Sequence, residues 1–80
     1  MTTFNKDKLR FLGMEEEENY MYVVINHTET DMEYIYIDDF DEAVECYNTQ
    51  NGTYKKLYKI GYNAYNSLMK RGYGKYKINN

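Results

Sequence analysis

Few side chains in this 80-residue sequence are equipped to move a proton, attack a carbonyl or hold a soft metal: there is one histidine, His27, and one cysteine, Cys46. Acid–base or nucleophilic catalysis needs a second positioned group beside the first. His27 has no other imidazole or nearby cysteine in sequence and reads as an exposed residue at a strand end. Cys46 lies beside Glu42 and Glu45, whose charges oppose the thiolate that reactivity requires, so it reads as a small residue at the edge of a core. Asp38, Asp39, Asp41 and Glu42 offer hard oxygen ligands, but without the twelve-residue calcium-loop spacing and its central glycine they are better explained as helix-capping acids. Gly72-Tyr73-Gly74 lacks the lysine-serine ending and the strand-turn-helix order of a phosphate loop. No catalytic residue, metal or cofactor is assigned, and the chain is read as non-enzymatic.

Charge is the stronger signal. All thirteen acids lie at or before Glu45, while seven of the ten cations lie at or after Lys55. Residues 1–53 therefore carry a formal charge of −10 and residues 54–80 a charge of +7 behind an overall −3. A distribution this polarised favours recognition of a charged partner by electrostatic steering over chemistry on a small molecule. In the acidic half, Glu15, Glu16, Glu17, Glu18, Asp38, Asp39 and Asp41, together with Tyr34 and Tyr36, are the first candidates for contacts to a protein partner. Carboxylates interspersed with tyrosine would suit a groove built to hold phosphates. In the basic half, Lys55, Lys56, Lys59, Lys70 and Arg71 are interleaved with Tyr58 and Tyr62, a mixture of cations and aromatic faces that suits single-stranded nucleic acid. A third reading is a homo-oligomer in which the acidic half of one copy meets the basic half of the next.

The length allows one compact domain over residues 1–80, with a modest core and marginal stability. Eleven of the apolar residues are tyrosine, which brings contact area together with a hydroxyl that needs water or a partner. A single cysteine forbids an internal disulfide, and no signal peptide or membrane span is evident, so a cytoplasmic protein without membrane contact is expected. Asn26-His27-Thr28 and Asn51-Gly52-Thr53 match the glycosylation pattern but read as turn residues.

The elements that would position these groups form an α+β fold. Asn5 can cap a short helix carrying Leu9, Phe11 and Leu12, stopped by Gly13. Tyr20 to Thr28 is β-branched and aromatic and reads as the central strand; Glu33 to Asp38 alternates Tyr34 and Tyr36 with Ile35 and Ile37, and the two make a hairpin. Asp39 caps a helix whose Phe40, Ala43, Val44 and Tyr47 form one stripe, ended by Asn51-Gly52. Leu57, Ile60, Ala64 and Leu68 then predict a second helix from about Tyr54 to Arg71. The competing reading is a strand over Tyr54 to Ile60, broken by Gly61, and a shorter helix after it. Tyr73 to Ile78 reads as a charged edge strand. The sheet is expected to be small and antiparallel, with two or three helices packed on one face.

In general character the chain is similar to small phage-encoded inhibitors, including anti-CRISPR and anti-restriction proteins: short, partly acidic, rich in Tyr and Asn, and without Pro or Trp. The likeness is one of composition and transfers no residue role. It implies a host protein or nucleoprotein complex as partner, blocked in the cytoplasm of an infected bacterial cell. The expected function is thus a protein-binding inhibitor of a nucleic-acid-handling complex, with direct nucleic-acid binding as the alternative.

Overall fold

The computed structural model describes residues 4–13 and 16–73. A 3-10 turn at Lys6–Lys8 precedes β1 (Tyr20–His27), β2 (Met32–Ile37), α1 (Phe40–Thr49), β3 (Tyr54–Gly61) and α2 (Tyr62–Lys70). The three strands form an antiparallel sheet in the order β2-β1-β3. β1 takes the centre because it is the one run whose consecutive residues are apolar, and residues 21–26 are all buried. A four-residue turn closes the β1–β2 hairpin, with the Thr28 N–H bonded to the Asp31 carbonyl and the Thr28 hydroxyl oxygen accepting from the N–H groups of Thr30 and Asp31.

Successive side chains of a strand point to opposite faces, so β1 divides its apolar residues between two cores. Met21, Val23 and Ile25 join Ile60 on one face, where Ala64, Tyr65 and Leu68 of α2 pack. Tyr22, Val24 and Leu57 line the other, where Ala43, Phe40, Val44 and Tyr47 of α1 pack. The helices therefore cover opposite faces, which corrects the expectation that they share one. A central strand with a run of consecutive apolar residues has two faces to hide and needs a cover on each.

The helix expected from Tyr54 to Arg71 is replaced by strand β3 and, from Tyr62, helix α2. Leu57 and Ile60 sit at helical spacing only because β3 buries one of them on each face, which blurs the period-two signal. Gly61 marks the change of conformation. The helix expected after Asn5 is a single 3-10 turn: Asn5 Oδ1 accepts from the Asp7 N–H at 3.0 Å, but the chain then extends. Leu9 and Leu12 reach opposite faces of the sheet, and the segment adds to its β3 edge, with Lys59 N–H bonded to the Arg10 carbonyl and Leu12 N–H to the Lys59 carbonyl. The strand expected over Tyr73 to Ile78 lies, beyond Tyr73, outside the described residues.

α1 is closed at both ends by side chains. Asp39 Oδ2 accepts from the Glu42 N–H at 3.0 Å, and Lys55 Nζ donates to the carbonyls of Tyr47 and Gln50 at 2.9 and 3.0 Å, a cation at the negative end of the helix dipole. The loop after α1 is held by Asn26, the buried polar residue of β1, whose Oδ1 accepts from the Gly52 N–H at 2.9 Å. A Cβ on residue 52 would run into Asn26 Oδ1 and the His27 carbonyl, so the position is restricted to glycine by close approach.

Candidate functional site

The register fixes which termini meet. Tyr20 opens β1 opposite Gly61, the last residue of β3, and Tyr22 lies opposite Ile37, the last residue of β2. Residues 16–19, 38–42 and 61–64 therefore gather at one end of the sheet. Both helices begin at this end, so two sets of unpaired N–H groups and two positive dipole ends are brought together. The acids answer that charge.

Their roles differ. Asp39 is the cap of α1. α2 has no side-chain cap of its own, because Gly61 occupies the position; Glu17 supplies one from across the chain, its carboxylate accepting from the N–H groups of Asn63 at 3.0 Å and Ala64 at 3.3 Å. The same carboxylate lies against Gly61, in the space a Cβ there would need. Asp38 accepts a hydrogen bond from the Tyr62 hydroxyl at 3.4 Å. Partial burial first, and then the charge of Asp38, hold that hydroxyl above its ordinary pKa. Glu16, Glu18, Asp41 and Glu42 are exposed around these capping groups, and Tyr62 among them is 40% exposed. Glu15 lies outside the described residues.

Tyr34 and Tyr36 are placed elsewhere. Both are half-buried on the α2 face, Tyr36 packed edge-on against Tyr65 with ring centres 4.8 Å apart and Tyr34 against Tyr73 at 5.2 Å. The Tyr36 hydroxyl donates to the Tyr73 carbonyl at 2.8 Å, and burial pushes its pKa up to about 12. These rings anchor the end of α2 to the sheet. Tyr62, which sequence reasoning assigned to nucleic acid, is the aromatic residue that the acidic end displays.

The basic candidates divide into three groups. Tyr62 is at the acidic end. Lys70 and Arg71 finish α2 on one face of the sheet, where Arg71 lines a cleft of about 300 Å³ with Leu12 and Tyr34. Lys55, Lys56, Tyr58 and Lys59 share β3. Lys59 spreads its ammonium over Phe11 and Tyr20, 5.1 and 5.2 Å from the ring centres, and so spends part of its charge within the fold. Lys8 and Arg10, which the linear charge order assigns to the acidic half, are carried to the β3 edge by the pairing of Phe11 with Lys59. No local pattern announces that pairing. Among the described residues, no three His, Cys, Asp or Glu side chains are grouped to hold a metal ion, and no helix is long and apolar enough to cross a membrane.

Comparison with protein-family models, with curated proteins and with solved structures finds no match for this chain.

Proposed function

We propose that the chain is a non-enzymatic binding protein, an inhibitor that seats the acidic end of its sheet in a basic groove of a nucleic-acid-handling partner. One observation carries the reading. After Glu17 and Asp39 are committed to the helix N-termini, Glu16, Glu18, Asp41 and Glu42 remain exposed at the end of the sheet where Tyr62 begins α2, a set of carboxylates beyond what capping requires. A groove that receives phosphates meets here carboxylates from the start of α1 and from the segment that precedes β1. Such a contact gains association rate from steering and loses it as salt screens the charges.

The test keeps the capping acids intact. Glu16 and Glu18 are changed together to Lys, and wild-type and variant protein are used to capture partners from a bacterial lysate at low and moderate salt. The expected result is a nucleic-acid-handling protein held by the wild type, released by salt and missed by the variant, with the variant as stable as the wild type. Capture of the same proteins by both would remove the acidic end from the function.

A further inference from the structure

Away from the acidic end, the structure assembles a cleft whose charge is of the opposite sign. It has a volume of about 310 Å³ and lies along the open part of the β3 edge, where Lys8 and Arg10 approach from the N-terminal segment, Lys55 and Lys56 from β3, and Tyr47 and Tyr58 supply aromatic walls. Among the described residues, four cations line it and no acid does. A neighbouring cleft past Arg10 is different, because Asp7 and Glu16 enter its wall and offset Arg10 and Lys59.

Strand parity explains how so many cations meet. Lys55 and Leu57 point to the α1 face, Lys56 and Tyr58 to the α2 face, so a cleft touched by both pairs must straddle the edge of the strand. Lys59 turns its N–H and C=O outward to Arg10 and Leu12, which fastens the N-terminal segment to this edge and brings Lys8 and Arg10 beside β3.

The walls are set in place by the fold. Tyr47 is gripped between the edge-on ring of Phe4, 4.9 Å away, and the Lys55 ammonium, 4.6 Å from its centre. Lys55 uses two of its three N–H donors on the α1 carbonyls and keeps one. Lys8, Arg10 and Lys56 are exposed; the Lys56 ammonium lies 5.3 Å from the centre of the exposed Tyr54 ring, and Arg10 also lines the neighbouring cleft with Asp7 and Glu16.

We propose that this cleft binds a nucleoside phosphate, taken either as one unit of a single strand or as a free nucleotide. The cations receive the phosphate, and Tyr47 and Tyr58 supply aromatic walls for the base. The volume lies at the small end of the range for ligand pockets, about 300–1,000 Å³, which suits one nucleotide unit and leaves the paired bases of a duplex out of reach.

The experiment uses the full chain and fluorescence anisotropy of a labelled single-stranded oligothymidylate at low salt. Competition by unlabelled oligothymidylate, thymidine monophosphate and inorganic phosphate is measured in parallel. Displacement by the oligonucleotide alone assigns a strand, and displacement by the mononucleotide as well assigns a free nucleotide; either supports the cleft. Displacement by inorganic phosphate as effectively as by the nucleotides would overturn the aromatic part of the site and with it the proposal.

The decisive comparison is K8Q/R10Q/K56Q against K70Q/R71Q, two sets of exposed cations whose loss leaves the cores intact. The first set should weaken binding by about tenfold or more, since each charged hydrogen bond is worth about that factor. It should also flatten the salt dependence by about one unit of slope for each phosphate contact removed. The second set should change binding by less than about threefold. Equal losses in the two variants, or no binding by the wild type at low salt, would overturn the proposal. This measurement reads nucleotide binding by β3-edge cations and the lysate capture reads a protein partner, so the two readings fail separately.

Discussion

Replacing Glu17 by Ala removes a helix cap that the helix does not possess in its own sequence. The carboxylate accepts from Asn63 at 3.0 Å and Ala64 at 3.3 Å, and it is half-buried against Gly61. Loss of an N-cap acceptor lowers stability by about 1 kcal/mol, and up to about 2 where the helix depends on it. Loss of a negative charge at a helix N-terminus adds about 0.3–1 kcal/mol. Together these give about 1.5–2.5 kcal/mol, a large share of the roughly 4–12 kcal/mol expected for a chain of this size. In a domain this small each kcal/mol moves the melting temperature by about 4–8 °C, so a drop of about 10 °C is expected. Glu17→Gln should fall between wild type and Ala, because it keeps an acceptor and gives up the charge. Urea denaturation followed by far-ultraviolet circular dichroism measures the effect, with Glu16→Ala and Glu18→Ala as controls from the same acidic run. If Glu17→Ala matches those controls within about 0.5 kcal/mol, the size of ordinary surface effects, the capping argument fails.

Two further outcomes follow from buried groups. Gly52→Ala would push a Cβ into Asn26 and the His27 carbonyl and break the 2.9 Å bond to the Asn26 amide, which is only 4% exposed. A loss of about 1–3 kcal/mol is expected, read as a lower urea midpoint with an unchanged slope. At high pH, Tyr22 and Tyr36 are held neutral to about 12 by burial, whereas an unfolded tyrosine ionises near 10. The unfolded chain then releases its protons first, so this stability is complete below about pH 10 and declines as pH rises toward about 12. At pH 11 the loss is about 1 kcal/mol for Tyr22 and less for the more exposed Tyr36. Tyr22→Phe should flatten the decline between pH 9 and 11; an unchanged decline would show that this ring does not carry it.

The parts of the fold legible in the sequence were those with local causes. β1, β2 and α1 follow from an apolar run, an alternating run and a capping acid, each within a few residues of the element it defines. β3 was harder because a strand buried on both faces has no alternating pattern, and its two deepest residues, Leu57 and Ile60, stand three apart as they would in a helix. The start of α2 was hidden for a different reason: its capping group lies 46 residues upstream of Asn63. The two candidate surfaces show the same limit. Acids near Asp38 and Glu16 were evident from composition, but which were committed to capping depended on the register of the sheet. Tyr34 and Tyr36 look like display residues in an alternating strand until α2 and Tyr73 cover them. Lys8 and Arg10 belong to the basic edge only because a short parallel pairing brings them there.

The sheet also sets an order of assembly. β1 and β2 are joined by a four-residue turn and can find each other quickly, since little chain entropy is lost in closing so short a loop. β3 must pair with the same central strand across a loop that contains β2 and α1. Only when that ladder reaches Tyr20 and Gly61 is Glu17 brought to the start of α2. The last helix is thus conditional on nearly everything before it. On a ribosome delivering the chain from its N-terminus, the hairpin and α1 are available before β3 emerges, while α2 follows β3 and is added as a latch on a sheet already built.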